Sequence, residues 1–414
     1  MLNPFAGRWK TLTAASLGMG FSQASLTVGT FGLFILPLAR DFQWSRAEVS
    51  LGLTLATLSL ALATPVVGVI VDRIGPVRVL VTSAILFASA FIALSLQTGA
   101  LWYFYALCTT AALVGAGTNA VVHTGMVAAR YRDRLGLALG LALAGVGVIS
   151  AALPPALQWF ISHANWRGGY MALALLCCTV SGLVALHYLR VLRRERAGGG
   201  DSPEPLPAIG SKSQTFSYGQ LVRDRNFVVL TAMFVTVSAG FTATNIHLVP
   251  ILIDRNMSAQ TAAMFAGLIG VGLVIGRVVA GALMDHFFAP RVALWMFLLT
   301  AAGILCLSLA PSPALLVLIA ISLGFGTAAE MDLMAFLTAR YFGQANYGKI
   351  YGFFYACFMV GAAAGPLFMG LGFDRFGSYE LPLLLNVAVL LIATVLTLLL
   401  GPYPVSASQK ETLP

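Results

Sequence analysis

Charge is what this chain has least of. Asp, Glu, Lys and Arg make up 9% of its 414 residues, and 59% are hydrophobic. A soluble domain carries about a quarter charged residues, so this chain cannot clothe a water-facing surface. Acidic side chains are scarcer than basic ones, 15 against 24, for a net charge of +9. The basic residues sit in short segments between apolar runs, a membrane pattern rather than a nucleic-acid one. Cysteine is also sparse. Cys108, Cys177, Cys178, Cys306 and Cys357 all fall inside apolar runs, which suits packing and suits neither a disulfide framework nor a metal site. There is no glycine-rich phosphate loop, no cluster of metal ligands and no Ser–His–Asp arrangement. These gaps exclude an ATP-driven pump and argue against an enzyme. No cofactor is expected, and an ion gradient is left as the source of energy. Few polar residues precede the first apolar run and no small-residue cleavage site follows it, so no cleavable signal peptide is expected.

What the chain has in abundance is apolar stretches of about 20 residues, the length of a membrane-spanning helix. Twelve are read: Leu12–Leu38, Val49–Val71, Val77–Leu96, Leu101–Ala129, Gly136–Ile161, Arg167–Leu189, Phe227–Ile253, Ala262–Met284, Val292–Ala310, Ala314–Thr338, Ile350–Gly372 and Leu381–Leu400. They are helices 1 to 12 of an all-α membrane protein. Eighteen of the 24 Lys and Arg fall in alternate segments that include both termini, five fall in the opposite set, and Arg277 lies within a span. Basic residues favour the cytoplasmic side, so both termini are expected there.

The one long hydrophilic stretch runs from Arg190 to Asn226 and contains Gly198-Gly199-Gly200-Asp201-Ser202-Pro203, which is linker chemistry. It divides the chain into a six-helix unit at 1–189, a linker at 190–226, a second six-helix unit at 227–402 and a tail at 403–414. The halves echo each other. Asp72 after helix 2 and Asp285 after helix 8 are 213 apart, Pro155 and Pro366 are 211 apart, and Gly147 and Gly361 are 214 apart. A near-constant offset implies a duplicated unit, as in secondary transporters.

Gly68-x-x-x-Asp72-Arg73-x-Gly75-x-x-Arg78 resembles the signature loop of the major facilitator superfamily, with a partial second copy at Gly281 and Asp285. The resemblance spans the chain and implies two pseudo-symmetric bundles, with Gly68, Asp72, Arg73, Gly75, Arg78 and Asp285 acting as a conformational lock. Within that superfamily, Trp44-Ser45-Arg46 and Gly276-Arg277-x-x-x-Gly281-x-x-x-Asp285 resemble the monocarboxylate transporter family and its bacterial relatives, including the oxalate/formate antiporter. That implies a helix-8 arginine holding a substrate carboxylate, usually with proton coupling. His247 would match a helix-7 histidine of the bacterial members. Two features depart from the animal carriers: Leu273 stands where an Asp is common, and helix 1 has no Lys beyond Lys10. Helix 11 lacks the second central cation expected of the oxalate antiporter, which favours a monoanion.

The residues themselves carry the same argument. An Arg in mid-membrane is costly unless paired or set in a water-filled cavity, and so marks function. Its planar fork suits a carboxylate. At 1.5 Å per residue, Arg277 stands about 12 Å from Asp285, and Glu330 about 15 Å from Arg340, at similar depth. Glu330 or Asp332 can then meet Arg277. Two apart on a helix, they point in different directions. His247, with an ordinary pKa near 6.5, is a third candidate for a coupled proton and a candidate substrate contact. Asn119 and Gln23 in the first half and Tyr355 in the second are further candidate contacts. His123 reads as structural.

The expectation is a secondary transporter that carries a small organic monocarboxylate by alternating access with proton symport, as a monomer, in a bacterial inner (cytoplasmic) membrane. Its partners would be the anion, protons and lipid. Organic-anion exchange and drug efflux are the rivals within transport. A carboxylate-sensing receptor signalling through Arg190–Asn226 is the rival from another class.

Overall fold

The computed structural model describes residues 9–128, 130, 135–197, 221–309, 312–342 and 347–403. The described residues are helical throughout, with short connections and no strand. Ten stretches are long and apolar enough to cross a membrane. One of these, within Leu135–Ala197, is two spans, because Asn165 breaks the helix at φ 60°. Its side-chain oxygen accepts from the backbone N–H of Arg167 (2.9 Å) and Gly168 (3.2 Å), capping helix 6. Helix 1 completes the set of twelve in three pieces, Trp9–Gly20, Ala24–Val28 and Gly32–Phe42. Most of the linker, 198–220, and most of the tail, 404–414, lie outside the described residues.

Local chemistry sets the helix ends. Helix 2 (Arg46–Ile74) starts in a capping box: Ser45 Oγ accepts from the Glu48 N–H, and the Glu48 carboxylate accepts from the Ser45 N–H. It ends at Gly75, whose φ of 89° turns the chain into helix 3 (Pro76–Ser95), a conformation that favours glycine. Asp224 and Ser258 cap helix 7 (Arg225–Asp254) and helix 8 (Ala259–His286). Helices 9 to 12 are Ala289–Ser308, Pro313–Phe342, Tyr347–Phe376 and Glu380–Leu398.

Helices 7 and 11, 8 and 10, and 9 and 12 pack within the second bundle. Helices 2 and 11, and 5 and 8, join the two bundles. The described ends of the chain, Trp9 and Tyr403, lie on one face, called proximal here. There Tyr341 donates to the Gly401 carbonyl (2.6 Å) and Tyr403 Oη accepts from the Ala289 N–H (3.1 Å). The opposite face is distal.

The joining pairs touch in their distal halves and part toward the proximal face. A Cβ on Gly370 would stand 2.9 Å from the Ala47 backbone, and one on Gly270 would strike the backbone of Ala151. At the proximal ends of the same four helices, Gly68, Gly140, Gly281 and Gly352 have nothing within reach of a Cβ. Among the described residues, the space between the bundles is closed distally and open proximally.

Candidate functional site

Glycine lets helices 8 and 10 approach closely. Gly276 meets Phe325 and Ala328, and Gly324 meets the Ile269 carbonyl. This packing fixes the rotation of both helices. Ile321, Phe325, Ala328 and Asp332 share the side of helix 10 that faces helix 8. Glu330 lies on the opposite stripe with Ser322 and Gly326, which meets Thr300 of helix 9 and Phe241 of helix 7.

Arg277 is half-buried. Its Nε is buried without a hydrogen-bond partner, and it has no ion pair among the described residues. Its charge acts on half-buried Asp332 across the gap between the helices, and no charge among the described residues acts on Glu330. Glu330 is 3% exposed with Oε2 unpartnered. The arginine therefore stands beside one acid without binding it, and faces the open space with unused donors. On the same side, the Tyr355 hydroxyl has no hydrogen-bond partner among the described residues, and its ring stacks on Phe358 and Tyr351. Asn245 donates to Thr327 Oγ1 (2.8 Å), leaving its own buried Oδ1 unpartnered.

The first bundle contributes two broken helices. Helix 4 is interrupted between Leu101–Gly115 and Ala120–Ala128, at the level where helix 1 is interrupted. Each break satisfies the other: the Gln23 N–H donates to Thr118 Oγ1 (3.0 Å), and the Ala24 N–H to Asn119 Oδ1 (3.1 Å). Asn119 Nδ2 then donates to Gln23 Oε1 (3.3 Å). Irregular backbone at membrane depth is tolerated where protein or a cavity meets it, and discontinuous helices frame many transporter sites. Gly20 packs on Ile149 of helix 5, and Gly147 packs on Val274 of helix 8. By these contacts the Gln23–Asn119 pair lies about 10 Å to the distal side of Arg277. Thr27, one turn beyond the break, has a buried unpartnered hydroxyl.

A cation and unpaired polar groups between two pseudo-symmetric six-helix bundles describe a carrier, and comparison with known proteins agrees. The model of the Major Facilitator Superfamily matches residues 15–291 and 248–413. The chain belongs to the major facilitator superfamily. It resembles monocarboxylate transporter 13 of Bos taurus, 28% identical over 84% of this chain and 78% of the relative. Monocarboxylate transporter 11 of Homo sapiens is 26% identical over 94% of this chain and 82% of the relative. Among solved structures, a bacterial homologue of the human lysosomal transporter Spinster, in an inward-facing and occupied conformation, shares the fold. Its TM-score is 0.70 at 16% identity, covering 96% of this chain and 97% of the other.

The superfamily's signature loop lies at the proximal ends of helices 2 and 3. Arg73 and Arg78 are exposed, without an ion pair among the described residues. Gly68 and Gly75 have open space around them. The side chains of Asp72 and Asp285 lie outside those described.

His247 stands apart from Arg277, fully buried in the distal closure. Its Nε2 donates to the Pro366 carbonyl (2.9 Å) and lies 3.3 Å from Ser50 Oγ, and its Nδ1 pairs with Tyr379 Oη (2.8 Å). With its proton at Nε2, the neutral imidazole accepts at Nδ1, and the Tyr379 hydroxyl is the donor. His123 is a satisfied interior histidine at one nitrogen, with Nδ1 bonded to Tyr188 Oη (3.0 Å).

Sequence reasoning missed the acids and the hydroxyl that close the distal face. Asp254 holds Arg46 in a two-point ion pair (2.6 and 2.8 Å). Asp374 accepts from the backbone N–H groups of Arg46 (3.1 Å) and Ala47 (2.8 Å). Tyr379 accepts from Arg46 Nη1 (3.0 Å). A signal existed: the distal segments carry few cations, and Arg46 is accompanied there by acids at the ends of helices 7 and 11.

Proposed function

We propose that the chain carries a small organic monocarboxylate across the membrane by alternating access, with a proton as co-substrate. The observation that carries this is Arg277, a permanent cation at mid-depth with an unused donor, on the wall of a space open at one face. A carboxylate would take two parallel hydrogen bonds from it. Gln23, Asn119 and Tyr355 would meet the rest of the anion. One central cation favours a monoanion over a dianion. Of the three candidate proton carriers, Asp332 is supported best. It stands beside Arg277 without an ion pair, so protonation and substrate binding can compete for the same guanidinium. Glu330 faces away from Arg277, and His247 sits in the distal closure. The positive-inside pattern supports cytoplasmic termini, so the proximal face would be cytoplasmic, and a bacterial inner membrane is the expected location.

Uptake of labelled monocarboxylates into proteoliposomes under an inward proton gradient tests the reading, with Arg277→Ala as control. Gradient-driven accumulation, lost in the variant, is the expected result. Exchange against internal carboxylate without accumulation would make the chain an anion exchanger. Neither accumulation nor exchange for any member of the panel would remove the monocarboxylate assignment.

A further inference from the structure

The distal closure is built from groups that can part without leaving anything stranded. Arg46 starts helix 2 in the first bundle. Its guanidinium is clamped by Asp254 of helix 7, stacks 3.5 Å over the Phe373 ring and donates to Tyr379. Beneath it, the Asp374 carboxylate of helix 11 caps the N-terminus of helix 2 across the bundle interface. A carboxylate is stabilised at that end of a helix by the free N–H groups and the dipole. When Asp374 leaves, helix 2 keeps the capping box, which serves the Ser45 and Glu48 N–H groups. Asp374 serves the other two, those of Arg46 and Ala47, which water can take over once the bundles part.

The surroundings point the same way. A cavity of about 330 Å³, lined by Arg40, Gln43, Ser45, Arg46 and Asp374 among others, brings solvent to the cluster from the distal side. The Arg46 and Asp254 side chains keep 12% and 32% of their exposure. When the contacts break, both charges and the two freed N–H groups meet water, not lipid. Two turns further in, Thr54 Oγ1 donates to the Ala363 carbonyl of helix 11 (2.7 Å) and has the Ser50 carbonyl of its own helix as a second partner (3.3 Å).

We propose that Arg46, with Asp254 and Asp374, forms a releasable latch that holds the distal gate shut, and that its strength sets how the carrier divides between its two open states. The inference rests on the alternating-access reading and adds the device that biases it. Losing a two-point charged pair should shift the balance toward the distal-open state by about 10- to 100-fold. Losing the Asp374 cap alone should shift it less.

The test uses the full chain in liposomes with its five cysteines replaced. One cysteine is placed at Ala363, buried in the distal seam, or at Gly140, exposed on the proximal side. The readout is the rate of modification by a thiol reagent that cannot cross the bilayer, added to either face. In Arg46→Gln the distal reporter should react about 10- to 100-fold faster and the proximal one more slowly. Asp374→Asn should move both in the same sense by a smaller factor, which guards against a folding defect in Arg46→Gln. Exchanging the charges, Arg46→Asp with Asp254→Arg, should recover part of the slow distal rate. The unmodified latch tests the parent reading: added monocarboxylate should change the two reporters in opposite directions. If it does, and Arg46→Gln and Asp374→Asn leave both rates unchanged, the latch is overturned while the transport reading stands. If no monocarboxylate moves either reporter, the reading and the latch fall together.

Discussion

Replacing Arg277 with Met separates a working cation from a structural one by the sign of a single number. Methionine keeps most of the length of the stem and removes the charge. If Arg277 were one half of a buried structural ion pair, its removal would strand the partner and cost about 3–5 kcal/mol. Arg277 has no ion pair among the described residues and a buried Nε without a partner, so the opposite is expected. Holding an Arg near the centre of a spanning helix costs about 2.5–3.5 kcal/mol. Arg277 is half-buried and so recovers part of that from water, and its attraction to Asp332 offsets some of the rest. The net expectation for Arg277→Met is between no change and a gain of about 2 kcal/mol. For a chain of this size each kcal/mol moves the unfolding midpoint by roughly 2 °C. Thermal unfolding of the purified protein in detergent should therefore show a midpoint unchanged or raised by up to about 4 °C. Monocarboxylate uptake should fall at least about 100-fold with loss of the two-point contact. A midpoint lowered by more than about 6 °C would refute the reasoning and make Arg277 a brace.

Other outcomes follow from the same geometry. Glu330→Gln should keep the pH dependence of uptake, read as initial rates from acid to neutral pH, because Glu330 faces helices 7 and 9 and no charge among the described residues acts on it. Gly270→Ala drives a Cβ into the Ala151 backbone across the bundle seam, which should cost about 1–3 kcal/mol in the distal-closed state and show as faster labelling of a distal cysteine. Gly352→Ala meets open space in a helix and should stabilise by up to about 1 kcal/mol, read as a raised unfolding midpoint. Asp332→Asn should keep exchange between internal and external anion and lose net uptake.

Hydropathy alone makes twelve spans legible, because each span must bury its own backbone hydrogen bonds. The breaks in helices 1 and 4 are harder to read. No proline marks either break, and the hydrophobic runs Leu12–Leu38 and Leu101–Ala129 pass through them; Gly115 and Gly117 were the available hint. Arg277 is legible because charge at that depth has few explanations. Which acid it meets is not, since Glu330 and Asp332 differ by 200° of helical phase and only the glycine contacts of helices 8 and 10 fix the rotation. His247 reads as a candidate proton carrier from its chemistry, but its face is set by tertiary packing against Pro366 and Tyr379. The Arg46–Asp374 contact joins residues 328 positions apart, beyond the reach of any local pattern.

The unpaired state of Arg277 bears on why the carrier would be coupled at all. Under the proposed alternating access, each passage between open states would take the central cation through an occluded form, away from water, where a lone charge costs several kcal/mol. A bound monocarboxylate would neutralise it, so the loaded carrier could occlude. The empty carrier needs another anion, and Asp332 is the acid beside Arg277 on the facing side of helix 10. If Asp332 closes onto Arg277 when the site is empty, the carrier can return without cargo. Protonation of Asp332 from the other side then frees the arginine for the next anion, and one proton accompanies each substrate. Without that carboxylate the empty carrier has nothing to cover its charge, and it can cross only when loaded. Asp332→Asn would then turn a symporter into an obligatory exchanger. Net uptake in that variant as fast as in the parent chain would show that Arg277 needs no internal counter-ion, and that the proton is carried elsewhere.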